Sequence, residues 1–175
     1  RNDKVAKIRN HWLVNAISCT ATRDVIYKTS ELSGISLIAH NGKEKLIGDY
    51  KPVKAQMQSG LIQNVTTVGA DQVWAEGYTG KDVIVAVLDS GVNSEHVDLK
   101  DHLWDGGAEY PDHGWNFIDD NSNTDDNNGH GTHCAGTVCG DGTSGTQTGM
   151  APDATLMCVK VLGDDGEGTL EALVS

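Results

Sequence analysis

Six consecutive apolar residues, Val83-Ile84-Val85-Ala86-Val87-Leu88, end abruptly in Asp89-Ser90-Gly91. A half-buried strand alternates apolar with polar residues. An unbroken run instead predicts a central strand covered on both faces, the pattern of a parallel sheet. Such sheets alternate strands with helices and bind ligands just beyond the carboxyl ends of the strands. Asp89 stands at such an end, and Gly91 lets the chain turn sharply away from it.

A second apolar run, residues 154–162, predicts another strand. Between the two runs lies Asn127-Asn128-Gly129-His130-Gly131-Thr132-His133-Cys134-Ala135-Gly136-Thr137, a histidine between two glycines followed by small residues that read as a helix to about Cys139. A carboxylate beside an imidazole fixes its tautomer, leaves the second ring nitrogen free as a base, and steadies the positive charge once a proton is taken. Asp89 and His130 are therefore the candidate acid–base pair. Gly129 and Gly131 leave room for a substrate, and His133 is assigned a local structural role.

The rest of the chain organises around this unit. Residues 1–50 predict a small βαβ piece: a strand over residues 11–18, a helix that starts at Thr20-Ala21-Thr22 and is stopped by Gly34, a strand over residues 35–40 and a turn at Asn41-Gly42. That is too little chain to bury a self-sufficient core. Residues 51–62 read as a linker, and residues 63–175 as an α/β domain with a mostly parallel sheet and helices on both faces. Within it, residues 70–75 predict a short helix ended by Gly77, and Thr169 is a candidate N-cap for a final helix.

Composition excludes some functions. A net charge of −12 argues against nucleic-acid binding, which wants a basic face. No apolar run approaches the ~18 residues of a membrane span, and the opening Arg1-Asn2-Asp3-Lys4 is not a secretory signal. The four cysteines show no zinc spacing, and Cys134 and Cys158 read as buried free thiols. Asp119, Asn121, Asn123 and Asp125 put oxygen side chains at alternate positions of one loop, a pattern suited to Ca²⁺. Its bland counterpart is a solvated acidic surface.

Val87-Leu88-Asp89-Ser90-Gly91 and the His130–Thr137 segment resemble the aspartate and histidine signatures of the subtilisin-like serine proteases, and Gly149-Met150-Ala151-Pro152 and Val159-Lys160-Val161-Leu162 resemble segments that follow in that family. The resemblance runs from about Val65 to Ser175, roughly the first half of such a catalytic domain. It implies a serine endopeptidase acting on polypeptides, with Asp89 as orienting carboxylate and His130 as general base and acid. It also implies secretion and an α/β subtilisin-like fold. The family's nucleophilic serine and oxyanion asparagine lie in later segments, and neither Ser90, Ser144 nor Ser175 is a credible substitute. The 175-residue chain by itself is therefore expected to be inactive, and to fold poorly in isolation.

By the same resemblance Leu162, Gly166, Glu167 and Gly168 line the non-primed side of the cleft, where an extended substrate adds as a strand. Asp98 matches a family calcium ligand, and the 119–125 loop matches a calcium loop of thermitase-like members. Residues 1–50 resemble the second half of an inhibitory prodomain, with its tail at about 49–58 crossing the cleft and a cut near residues 57–60. The chain would then be a zymogen whose own prodomain is its first partner. The rival expectation is a non-catalytic binding or protease-inhibitory module with an idle Asp/His pair.

Overall fold

The computed structural model describes residues 4–45 and 60–174, leaving aside the side chain of Leu13. The chain divides into two compact units, residues 1–44 with 169–175, and residues 45–168. The expected linker, 51–62, falls mostly outside the described residues.

In the first unit, β1 (Val5–His11) and β2 (Ala16–Ala21) form an antiparallel pair running from Val5↔Ala21 to His11↔Ala16, with a bulge between Ala6 and Arg9. The helix α1 (Arg23–Ser30) follows, and β3 (Lys43–Lys45) comes after it. This is ββα and not the expected βαβ. The strand expected over residues 11–18 is interrupted: His11 ends β1 and Ala16–Ser18 open β2, while Trp12–Val14 make one 3-10 turn and Asn15 takes φ 51° between them. Asparagine tolerates that left-handed conformation, which breaks a strand there. Residues 35–40 form no strand; their apolar side chains are exposed, with Leu37 at 78%. Apolar content suggested strands in both places, but a strand needs a ladder partner as well as apolar side chains. No residue of α1 is buried. The buried His11 pairs its Nε2 with the Ser18 hydroxyl at 2.9 Å.

The second unit opens with β4 (Gly60–Leu61), α2 (Gln63–Val68) and α3 (Ala70–Ala75), then Gly77 at φ 93° turns the chain towards β5 (Ile84–Asp89). Next come β6 (Gly114–Asn116), α4 (His130–Cys139), β7 (Thr146–Gln147), β8 (Thr155–Lys160) and β9 (Glu167–Thr169). The last helix, α5 (Leu170–Val174), belongs to the first unit. Thr169 Oγ1 accepts from the Ala172 amide at 3.2 Å, the expected N-cap contact.

The central sheet has the order β5-β8-β6, with both pairs parallel. This is the expected α/β class. The two apolar runs become neighbours, with Val85↔Leu156, Val87↔Cys158 and Asp89↔Lys160 in register. Successive strand side chains face opposite ways, so Val87, Leu156 and Cys158 share one face. They pack with Val92, Leu99, Ala135, Cys139 and Ala154 into the core beneath α4. Fully burying a leucine such as Leu99 or Leu156 contributes about 1.5–3 kcal/mol. On the opposite face Ile84 and Leu88 stay 54% and 51% exposed. Among the described residues β8 is therefore the central strand and β5 an edge, where the apolar run alone predicts β5 at the centre.

Candidate active site

The sheet and α4 bring the two sequence-nominated residues together from opposite sides. Asp89 is the last residue of β5 and His130 the first of α4. Two glycines make that approach possible. At Gly131 an added Cβ would run into the Gly91 carbonyl oxygen, and Gly91, at φ +110°, would press a Cβ on the Thr124 carbonyl. Helix start and strand end touch backbone to backbone, so no other residue fits at either place.

His130 Nδ1 lies 2.8 Å from Asp89 Oδ1 and 2.9 Å from Oδ2. Asp89 is 7% exposed, and its Oδ1 also accepts the Ser90 amide at 2.7 Å. A carboxylate accepts, so the Nδ1 that faces it is the protonated ring nitrogen. One helical turn on, Cys134 Sγ sits 3.6 Å from Nδ1 and 3.9 Å from Nε2. Burial first, then the Asp89 charge, push the Cys134 thiol up to about 11, so it stays protonated at neutral pH. Asp89, His130 and Cys134 are the one group of three such donors within mutual ligand reach among the described residues. All four cysteines are free, Cys139 and Cys158 buried, Cys134 half-buried and Cys19 exposed.

The serines weighed as substitute nucleophiles are committed elsewhere. Ser90 donates to Asp126 at 2.8 Å and its oxygen accepts the Gly131 amide at 3.0 Å; Ser144 donates to Asp98 at 2.7 Å. Ser175 lies outside the described residues.

The proposed cleft edge starts at the same strand end. The amides of Val161 and Leu162 both donate to the Asp89 carbonyl, at 2.9 and 3.1 Å. Leu162 and Gly168 are buried, and Gly166 turns the chain at φ 74°. The Gly163 amide donates to the Glu167 carbonyl at 2.8 Å, closing a tight loop over residues 163–167.

The sequence did not single out the groups that hold this arrangement. Lys160, 4% exposed, donates to the Asp125 carbonyl at 2.8 Å and to Asp164 at 2.9 Å. The hydrogen bond from Lys160 holds the Asp164 carboxyl below the usual range. Asn127 reaches Asp164 Oδ2 at 3.1 Å, and Asn128 reaches the Asp164 carbonyl at 3.0 Å. Asp126 gathers more donors than any of these. It stands three residues before the N-cap Gly129, outside the position that a capping signal marks, so the sequence held no signal for it.

The calcium candidates differ in fit. Asp119, Asn121, Asn123 and Asp125 form an exposed, oxygen-only donor set of the kind a hard cation takes. Asn121 and Asn123 each accept a backbone amide two residues on, at 2.9 and 3.0 Å, and Asp119 accepts from Asn116 at 3.1 Å. Each of those oxygens keeps a second lone pair. Asp98 is less open to a cation: it is buried, with one carboxylate oxygen accepting the Ser144 amide at 2.5 Å and the other its hydroxyl at 2.7 Å.

A strand-end carboxylate that orients a helix-initial imidazole over a parallel sheet defines an acid–base pair of the kind that activates a nucleophile. The subtilase family model matches residues 80–174, and the chain belongs to that family. It is 36% identical over 140 residues to the major intracellular serine protease of Bacillus subtilis (strain 168), covering 77% of this chain and 41% of that protein. To subtilisin E of the same organism it is 37% identical over 176 residues, covering 99% of this chain and 41% of that one. To the minor extracellular protease Vpr, also of that organism, it is 41% identical over 117 residues, or 62% of this chain and 13% of Vpr. The chain thus spans well under half the length of these relatives.

Proposed function

We propose that the chain carries the acid–base half of a serine endopeptidase site. The observation that carries this reading is the contact of His130 Nδ1 with both oxygens of Asp89, at 2.8 and 2.9 Å. Nε2 takes the proton of a serine hydroxyl as that oxygen attacks the peptide carbonyl, then gives it to the leaving amine; water repeats the cycle on the acyl-enzyme. Asp89 steadies the imidazolium throughout. The serine itself comes from outside the described residues, since Ser90 and Ser144 are turned to other carboxylates. A polypeptide substrate lies extended along Gly166–Gly168, with Leu162 flooring an apolar pocket and Glu167 favouring basic side chains. A fluorophosphonate probe on the full-length protein tests this reading: labelling that needs His130 supports it.

Residues 1–50 act in this proposal as the end of an inhibitory prodomain, which makes the protein a zymogen. The support is that large apolar side chains of this segment, Trp12 at 82% and Leu37 at 78%, are exposed and need a surface to cover them. The expected cut near residues 57–60 falls largely outside the described residues. Mass spectrometry of the protein purified with a competent and an inactivated site tests self-processing. Export is part of the same reading, by likeness to the extracellular Vpr. The intracellular relative is a comparable match, so fractionation of cells and medium decides the location.

Calcium is proposed at the 119–125 loop as a structural ion, held by Asp119, Asn121, Asn123 and Asp125. The Asp98–Ser144 contact ties down the loop after α4. A rise in melting temperature on adding Ca²⁺, lost in Asp125→Ala and kept in Ser144→Ala, is the expected outcome.

A further inference from the structure

We propose that Asp126 is a positioning residue for the acid–base pair, its carboxylate locking the strand end that carries Asp89 to the helix start that carries His130. The inference rests on the endopeptidase reading for its kinetic consequence, and on geometry alone for its structural one.

Five hydrogen bonds converge on this carboxylate. Oδ1 accepts from the Ser90 hydroxyl at 2.8 Å, the Gly129 amide at 2.8 Å and the Asn128 amide at 3.1 Å. Oδ2 accepts from the Thr132 amide at 2.8 Å and the Thr132 hydroxyl at 2.6 Å. These donors flank both members of the pair. Ser90 follows Asp89 directly, and its oxygen in turn accepts the Gly131 amide at 3.0 Å. Gly129 and Thr132 bracket His130 on the first turn of α4. A single side chain thus sets the register of two elements that meet where glycine alone fits.

Only a carboxylate can do this. Every group facing it is a donor, and an aspartate offers about four lone-pair sites with no hydrogen of its own. Asparagine keeps one accepting oxygen, so two or three donors lose their partner and its amide meets N–H or O–H groups. The His130–Asp89 contact would then loosen at its backbone supports, with both partners still present. A displacement of about 1 Å in a catalytic constellation costs on the order of 10²-fold in rate.

The test compares Asp126→Asn, Thr132→Ala and Ser144→Ala in the full-length protein. Thr132→Ala removes one of the five bonds and serves if the asparagine variant does not fold. Ser144→Ala breaks a buried carboxylate contact away from the pair and serves as the stability control. The readouts are kcat and KM on a peptide substrate, and the far-downfield NMR signal of the proton between His130 Nδ1 and Asp89. The proposal expects kcat to fall tenfold or more in Asp126→Asn and less in Thr132→Ala. It expects KM to hold within about twofold and the downfield signal to weaken or shift in the same order. Ser144→Ala should leave kcat and the signal unchanged at equal loss of melting temperature. Folded Asp126→Asn with unaltered kcat and signal overturns the proposal. So does Thr132→Ala with an unaltered signal if the asparagine variant cannot be made, or any loss that Ser144→Ala reproduces. A wild-type protein without peptidase activity contradicts the endopeptidase reading alone; the signal still decides the role of Asp126.

Discussion

Nδ1 of His130 lies 2.8 Å from Oδ1 and 2.9 Å from Oδ2 of Asp89, so one ring nitrogen is shared between both oxygens of a nearly buried carboxylate. Replacing the acid by an isosteric amide keeps the shape and reverses the tautomer logic. Asp89→Asn in the full-length protein should lower kcat on the order of 10⁴-fold, the size seen when a triad loses its orienting carboxylate, with KM little changed. Steady-state kinetics on a peptide substrate check this.

Asp126 should write itself into the acid limb of stability. Burial pulls its pKa up, but hydrogen bonds from Thr132, Gly129 and Ser90 together outweigh that and hold the carboxyl below its ordinary value. A group depressed in the folded state stabilises it above the unfolded pKa, about 3.9, and loses that contribution as pH falls through the folded value. The stability gap between wild type and Asp126→Asn should therefore be full at pH 7 and narrow below about pH 4. Urea unfolding at pH 7, 5 and 3 measures it.

Ser144→Ala removes a hydroxyl that donates at 2.7 Å to a carboxylate only 5% exposed. Hydrogen bonds to charged groups contribute about 1.5–3 kcal/mol, and a loss of that size is expected in denaturant unfolding. Activity should be unaffected in the folded fraction.

The thiols should separate by burial. Cys139 and Cys158 are pushed up to about 11 and about 12, chiefly by burial, and Cys134 to about 11. Thiolate is the reactive form. Iodoacetamide at pH 8 should therefore modify the exposed Cys19 well before the other three, as peptide mapping would show.

The 175-residue chain alone should bind a hydrophobic dye such as ANS and unfold without a sharp transition. Ile84 and Leu88 lie on one uncovered face of the parallel sheet, and Trp12, Ile17 and Leu37 are exposed as well. A cooperative melt without dye binding would contradict this.

How much of this was legible in the sequence differs between the two units. The second was readable because its signals are local and redundant. An apolar run ending in Asp89, glycines around His130 and small residues after it yield β5 and α4 almost to the residue. The first unit misled because Trp12, Val14 and Leu37 have strand-like side chains, while Asn15 in a left-handed turn and the missing ladder partner decided the backbone. At the site, sequence could nominate Asp89 and His130 by residue type. It could not show that Asp126 collects five donors, since these come from positions as far back as Ser90. Lys160 stayed hidden for a similar reason: within an apolar strand its charge has meaning only once Asp125 and Asp164 stand beside it.

The central claim, that His130 is the base for a serine nucleophile, is tested most directly by fluorophosphonate labelling of the full-length protein with and without His130→Ala. The account predicts labelling of one serine in the wild type, abolished in the variant, and none in the 175-residue chain. Labelling that persists without His130, or a folded full-length protein that is never labelled, would contradict it.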